Sequence, residues 1–316
     1  MKRSKVFIIL AVVLTLSMIF TGCTQDASPE QDTSSGQETP PEQEAPVGQE
    51  TPSDDFDYDK DITVVARDAA SGTRGAFHEI MEIIQKEGDT EVDKLVVGAL
   101  EFDGTDKVIT AVEGDLYGIG YISLGSVSER IKAVAVDGAE PSVENVQSGA
   151  YSVSRPFLLV TKGTENDLVR DFLDFTESVQ GQEITNDMNF IGIVESPVEY
   201  TSSGMSGSIK VAGSTSVAPL MEKLQEAYQE LNPDVVFETQ AQGSSQGINA
   251  AMDGSYDIGM ASRELKDEEA AELNRYVLAI DGIAVIVNKD NPKSDLASED
   301  ITNIYTGGIT KWSEVK

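Results

Sequence analysis

From residue 61 onward, apolar and polar positions follow two alternating periods. Residues 61–66 (DITVVA) read as a strand, and 75–85 as an amphipathic helix with Phe77, Ile80, Met81 and Ile84 on one stripe. Residues 94–100 suggest another strand, 107–112 a short helix, and 118–124 (GIGYISL) and 132–136 two more strands. Further on, 156–161 (PFLLVT) is strand-like and 167–176 helical, with Leu168, Phe172 and Phe175 able to face inward; 190–194 is a short apolar strand. The last third is the most regular. A strand at 208–212 leads into a helix with Pro219 early and Leu220, Leu224, Ala227 and Tyr228 on one face, stopped by Asn232 and Pro233. Strands at 235–240 and 257–261 flank a short helix at 248–252, and an acidic helix spans 267–274. An apolar run over 276–288 is broken at Asp281 and Gly282, as suits a strand leaving one lobe for another; a helix covers 300–305. Short strands alternating with helices define an α/β layered protein.

Three stretches stand out from this background: RDAASGTRGAF (67–77), GSTSVAPL (213–220) and GSSQGINA (243–250). Each is a glycine- and hydroxyl-rich turn that follows a strand-like run and opens a helix. Such a turn aims unpaired backbone N–H groups and short hydroxyls at one point, and three converging turns make a cage for a small anion. Arg67 adds a planar fork of donors that fits tetrahedral oxygens. Taken singly, Ser71, Ser214 and Ser245 could do no more than cap their own helices.

Composition changes the picture at the front of the chain. Residues 1–22 have a basic start (Lys2, Arg3, Lys5), an apolar run from Val6 to Phe20 and small residues before Cys23, which is the pattern of a secretory signal. Cys23 is the chain's one cysteine, so an internal disulfide is excluded. Residues 24–59 lack Lys and Arg and are rich in Glu, Asp, Gln, Ser, Thr and Pro. A segment this polar cannot repay its ordering entropy and reads as a tether. The net charge of -32 makes nucleic acid an unsuitable partner, although focused local donors can still hold an anion. His78 is the one histidine and has no second metal-ligating neighbour in sequence, so no metal site is expected. Trp312 and Tyr305 read as packing residues, and the absence of a credible triad speaks against an enzyme.

The segments resemble a known family, the phosphate-binding lipoproteins of bacterial phosphate ABC transporters, within the type II periplasmic binding-protein fold. The resemblance is carried by VVARDAASGTRGAF (64–77), GIGYISL (118–124), VSRPFLLVTKG (153–163), GSTSVAPL (213–220), QGSSQGI (242–248), DIGMASREL (257–265), DGIAVIVN (281–288) and IYTGGITKW (304–312). It implies a two-lobed fold with a ligand cleft between the lobes. One lobe is 60–153 with 284–316, the other 154–283. It also implies a lipid on Cys23, with 1–22 as lipoprotein signal peptide and 23–59 as lipidated cysteine and tether. The order of segments departs from the family, where the GSTS block comes first and the block ending in tryptophan leads into VVAR. Here that continuation is at the front, so the chain resembles a circular permutation joined at 201–208, expected as a monomer.

By the same resemblance, inorganic phosphate is held by Thr215, Ser216, Ser244, Ser262, Arg67, Ser71, Gly72 and Thr73, with Asp257, Ser214 and Ser245 as further candidates. Some members carry an aspartate that accepts the proton of bound phosphate; ungapped placement puts Ser262 there. The implied role is that of an extracytoplasmic, membrane-anchored receptor delivering phosphate to an ABC permease, without a cofactor. The alternatives are a binder of another oxyanion (sulfate, molybdate) and a sensory or structural lipoprotein.

Overall fold

The structure is a computed structural model that describes residues 56–88 and 90–316. The expectations for the signal segment, for Cys23 and for the tether up to residue 55 lie outside the described residues.

In chain order the elements are β1 (Thr63–Arg67), α1 (Gly72–Ile80), β2 (Ile84–Glu87), β3 (Thr90–Asp93), β4 (Leu100–Phe102), α2 (Thr105–Glu113), β5 (Gly118–Ser123), β6 (Ile131–Val136) and α3 (Val143–Ser148). They continue with β7 (Ser154–Lys162), α4 (Asp167–Thr176), α5 (Val179–Asp187), β8 (Gly207–Gly213), α6 (Ala218–Leu231), β9 (Val235–Ala241) and α7 (Ser244–Asp253). The last are β10 (Ile258–Ala261), α8 (Asp267–Ala270), β11 (Leu273–Asn288), β12 (Asp295–Leu296) and α9 (Ser298–Thr306).

One mixed sheet carries the strand order β4-β1-β5-β11-β7-β10-β8-β9, with β6 also on β11 and β12 on β6. The organising strand is β11. Its first part, Leu273 to Gly282, pairs antiparallel with β7; its second part, Ile283 to Asn288, pairs antiparallel with β5 and β6. Asp281 and Gly282, where the apolar run is broken in sequence, lie in an uninterrupted strand at the point where its partner changes from β7 to β5 and β6, and a register shift falls earlier, between Val277 and Ala279.

The core follows the pleat, because successive strand residues point to opposite faces. On the second part of β11, Ile283, Val285 and Val287 join a cluster with Phe77, Tyr121, Tyr305 and Trp312, whereas Ala284 and Ile286 join Val108, Ile109 and Val112 of α2. On β7, Phe157 and Leu159 pack with α4 and α6, whereas Leu158 and Val160 pack with Ile248 and Ala251 of α7. Both faces of the sheet are therefore covered, which is why so many strand segments read as continuous apolar runs.

Local structure departs from the sequence expectation in four places. Helix α1 begins at Gly72 and ends at Ile80; Glu82 has φ 52, and Ile84 opens the β2–β3 hairpin instead of a further helical turn. Residues 94–99 lie between β3 and β4 and are not a strand. The run 190–194 contributes a single bridge, Ile191 to Ile280. The acidic helix α8 is one turn long, because β11 already starts at Leu273. Trp312 and Tyr305 are packing residues: both are fully buried, Trp312 Nε1 donates to Tyr117 O at 3.1 Å and Tyr305 Oη to Val65 O at 3.2 Å.

Candidate functional site

Four helix starts meet at one place. Strand β1 ends at Arg67, and Ser71 then caps α1, its Oγ accepting from Arg74 N at 3.4 Å. Strand β8 ends at Gly213; Ser214 follows, its Oγ accepting from Ser216 N at 3.2 Å and Val217 N at 3.4 Å ahead of α6. Strand β9 ends at Ala241, and Gly213 O accepts from Gln242 N at 2.9 Å and Gly243 N at 2.8 Å, which ties the start of α7 to the start of α6. Gly213 has φ 143, and a Cβ there would sit 2.2 Å from Met260 O, so only glycine lets β8 and β10 approach this closely. The fourth start is α2, whose first residue is Thr105. Positive helix ends converging in this way favour an anion.

The hydroxyls form a continuous cluster. Thr73 Oγ1 lies 2.9 Å from Ser216 Oγ and 3.5 Å from Ser262 Oγ. Ser262 Oγ accepts from Ser214 Oγ at 2.9 Å and lies 3.2 Å from Ser244 Oγ, and Ser262 N donates to Ser244 Oγ at 3.0 Å. Gly72 packs directly against this group: a Cβ on it would come within 2.4 Å of Ser244 Oγ and 2.9 Å of Ser262 Oγ. Thr73, Ser214, Ser216, Ser244 and Ser262 are all buried.

Arg67 completes the cluster from beneath. It is 2% exposed. Its Nη2 donates to Thr215 Oγ1 at 2.9 Å and to Asp103 O at 3.4 Å, its Nη1 to Thr105 Oγ1 at 3.4 Å, and its Nε to Phe102 O at 3.2 Å. No ion pair within 4.0 Å among the described residues includes Arg67. Burial pulls its guanidinium below the ordinary value, against the attraction of Asp68. A buried cation held by neutral acceptors alone has charge to spare for an anion.

Of the residues singled out from sequence, Arg67, Gly72, Thr73, Thr215, Ser216, Ser244, Ser262 and Ser214 are brought together. Ser71 is buried beside them as a helix cap. Ser245 is half-buried and contributes its backbone, its N donating to Ala70 O at 3.1 Å. Asp257 stands apart, just ahead of β10 and at the opposite end of that strand from Ser262; its Oδ2 accepts from Lys210 N at 2.8 Å. With Asp257 N donating to Lys210 O at 2.9 Å, the residue closes the start of the β8–β10 ladder.

Two residues were missed. Thr105 Oγ1 lies 3.4 Å from both Thr215 Oγ1 and Ser216 Oγ. Its signal was present as Gly104-Thr105-Asp106, a helix-start pattern three residues ahead of the apolar stripe. Tyr121 supports Arg67 through the backbone: Arg67 N donates to Tyr121 Oη at 3.1 Å, and Tyr121 Oη lies 3.2 Å from His78 Nε2. His78 Nδ1 is 3.0 Å from both carboxylate oxygens of Asp93, and burial lowers the imidazole to about 4. A neutral His78 that donates from Nδ1 to Asp93 leaves Nε2 to accept from Tyr121, whose oxygen then accepts from Arg67 N. The single histidine thus props the arginine strand.

Comparison with known proteins places these features in context. The model of the PBP superfamily domain matches residues 49–179 and 198–316. The chain is 43% identical over 255 residues to the phosphate-binding protein PstS 2 of Streptococcus pneumoniae, covering 81% of this chain and 88% of that one. It is also similar to the crystal structure of a phosphate ABC transporter's phosphate-binding protein from the same organism, with TM-score 0.67 and 42% identity over 81% of this chain and 100% of that one. The phosphate-binding protein PstS of Staphylococcus saprophyticus is 36% identical over 117 residues, 34% of this chain and 37% of that one.

Proposed function

The chain belongs to the PBP superfamily, among the PstS phosphate-binding proteins, and on that premise we propose that it captures inorganic phosphate and delivers it to an ABC permease outside the cytoplasm. The observation that carries this reading is Arg67: a buried guanidinium without an acidic partner, ringed by hydroxyls from four helix starts. Phosphate would take the place of hydroxyl-to-hydroxyl contacts now made by Thr73, Ser216, Ser244 and Ser262, with Thr215, Ser71 and the backbone of Gly72 completing its shell. Capture is the whole of the chemistry, and no bond to phosphorus is made or broken.

In this reading the two pairs of core clusters are two lobes, 60–153 with 284–316 and 154–283, and β11 and β7 are the strands between them. The hydrogen bonds from Arg67 to Thr215 and from Ser245 to Ala70 join opposite lobes, so they describe a closed cleft. A circularly permuted order is supported by the pairing of the front and rear blocks: Asp61 bridges Lys311, Ile62 N donates to Thr310 O at 2.7 Å and Ser313 N to Tyr58 O at 2.7 Å. Those segments are the ones a family chain would join directly. The short span of the Staphylococcus match fits a relative whose blocks come in another order.

Isothermal titration of the purified full chain with phosphate, sulfate and molybdate tests the binding reading. Saturable phosphate binding, by a protein that sediments as a monomer, is the expected result. A folded chain that binds none of the three would discard it in favour of a sensory or structural lipoprotein, and a preference for sulfate or molybdate would reassign the ligand.

Anchoring rests on the sequence around Cys23. Among the described residues no helix is long and apolar enough to cross a membrane. A lipid on Cys23 would hold the domain at the surface through the acidic tether. Cys23→Ser is expected to abolish incorporation of labelled palmitate and to release the protein into the medium. Persistent labelling of the variant would refute the anchor.

A further inference from the structure

We propose that Asp93, on the β2–β3 hairpin, is a positioning residue for the anion site that holds the backbone of Arg67 through two side chains of α1, a reading that rests on the phosphate function above. Arg67 is the last residue of β1. Strand β4 flanks it on one side, but that ladder uses its neighbour, Asp68 N donating to Phe102 O at 2.9 Å. On the other side β5 runs beside β1 only at Thr63 and Val64. The N–H and C=O of Arg67 therefore lie beyond the ladder, and buried backbone groups need partners. Side chains supply both. Arg67 N donates to Tyr121 Oη at 3.1 Å, and Arg74 Nη1 donates to Arg67 O at 2.9 Å.

Both supports lead back to one carboxylate. Arg74 Nε donates to Asp93 Oδ2 at 3.0 Å, and Arg74 Nη2 lies 3.0 Å from the same oxygen. His78, one turn further along α1, has Nδ1 3.0 Å from both Asp93 oxygens and Nε2 3.2 Å from Tyr121 Oη. Asp93 closes β3, in a two-stranded sheet separate from the main one. Its Oδ1 also accepts from Leu95 N at 3.0 Å, which fixes the carboxylate on its own chain. One route therefore runs from Asp93 through His78 and Tyr121 to Arg67 N, and the other from Asp93 through Arg74 to Arg67 O. Connected hydrogen bonds of this kind fix each member more tightly than an isolated pair does. The arrangement also assigns the second arginine of 67–77. Every nitrogen of the Arg74 guanidinium is engaged, Nε and Nη2 by Asp93 and Nη1 by Arg67 O and Glu101, so Arg74 holds the first arginine and leaves the anion to it. Glu101 touches Arg74 but, among the described residues, makes no hydrogen bond to His78 or Tyr121.

The test is calorimetric titration of the full chain with phosphate at neutral pH, comparing wild type, Asp93→Asn, Tyr121→Phe, the double variant of these two, and Glu101→Gln. Asp93→Asn and Tyr121→Phe are each expected to lower phosphate affinity about tenfold. Because they share the route to Arg67 N, the double variant should fall short of the product of the two losses by at least about threefold. Glu101→Gln removes a half-exposed charge and leaves Asp93 with His78, so its loss should stay below about threefold. A carboxylate that only stabilised the hairpin would lower the thermal midpoint and spare the affinity, or give losses that multiply. Either result, or an equal loss in Glu101→Gln, would overturn the assignment. A second measurement needs no variant. His78 is the chain's one histidine, so NMR follows its imidazole singly. Asp93, Arg74, Glu101, Tyr121 and Tyr305 surround the ring. Burial, opposed by Asp93 and Glu101 and reinforced by Arg74, lowers it to about 4. At neutral pH the expected state is a neutral ring with its proton on Nδ1; a proton on Nε2 would break the route to Tyr121 and overturn the assignment. The tautomer reads the network without any ligand, so a wild-type chain that fails to bind phosphate removes the premise in a way that can be told apart.

Discussion

Arg67→Ala should weaken phosphate binding by roughly two to three and a half orders of magnitude while leaving the unliganded protein folded. Arg67 is 2% exposed and already fixed by Phe102 O, Asp103 O, Thr105 and Thr215. The cost of taking its charge out of water is therefore met during folding, and on the proposed function phosphate would receive a cation that needs no further reorganisation. Removing one partner of a desolvated, hydrogen-bonded charge pair costs about 3–5 kcal/mol, and about 1.4 kcal/mol is tenfold in affinity. The unliganded protein behaves differently. Without an ion pair to lose, it gives up hydrogen bonds and packing but is relieved of a buried cation. The measurable signature is a thermal midpoint close to wild type without phosphate and the loss of the upward shift that phosphate gives the wild type. Arg67→Lys should fall between the two, since an ammonium keeps the charge but cannot bridge Thr105 and Thr215 as the fork does. Calorimetry that finds Arg67→Ala within tenfold of wild type would show that the helix starts alone hold the ligand.

The parts of this site that were legible in sequence are those in which one local pattern does all the work. GSTS, GSSQG and the SGT after Arg67 announce themselves, because glycine, hydroxyl and helix start must be contiguous to cradle an anion. Thr105 was hidden because it contributes one hydroxyl from a helix start without glycine-serine repetition, and its role depends on Arg67 reaching across from β1. Tyr121 was hidden for a similar reason. In GIGYISL it is one more buried strand residue, and only the fold brings its hydroxyl under Arg67 N. Helix α1 was extended to residue 85 because Ile84 continues the stripe of Phe77, Ile80 and Met81, and periodicity does not register a single residue with positive φ at Glu82. Asp281 and Gly282 were legible as the place where the strand changes partners, but the sequence could not show what lets an acid stay in the core there: its charge is answered by Arg155 from a segment 126 positions away.

That pair gives the second large effect: Arg155→Met should destabilise the protein by about 3–5 kcal/mol near pH 8 and much less near pH 5. Arg155 Nη2 donates to Asp281 Oδ2 at 2.9 Å, Ser123 Oγ donates to Asp281 Oδ1 at 2.8 Å, and the two charged side chains are 2% and 0% exposed. Burial dominates both partners. It pushes the Asp281 carboxyl up to about 6 in spite of Arg155, and pulls Arg155 down to about 10 in spite of Asp281. The sign follows from the native value lying above the ordinary 3.8. The stability contributed by protonated Asp281 is fully present below that ordinary value and is lost as pH rises through about 6. Without Arg155 the native carboxyl rises further, so the variant keeps its proton to higher pH and pays the full cost of an unpaired buried carboxylate only above that point. Replacing both partners with apolar residues, Arg155→Met with Asp281→Leu, should restore most of the loss, because no charge is then left buried. Denaturant melts of the single and double variants at pH 5 and pH 8 decide the matter. Equal destabilisation of Arg155→Met at both pH values would mean that Arg155 acts through packing on Phe157, over which its guanidinium lies at 5.5 Å, and not through Asp281. The location gives the pair its interest. Asp281 and Gly282 mark the place where β11 passes from β7 to β5 and β6, so disturbing the pair acts between the two halves of the sheet.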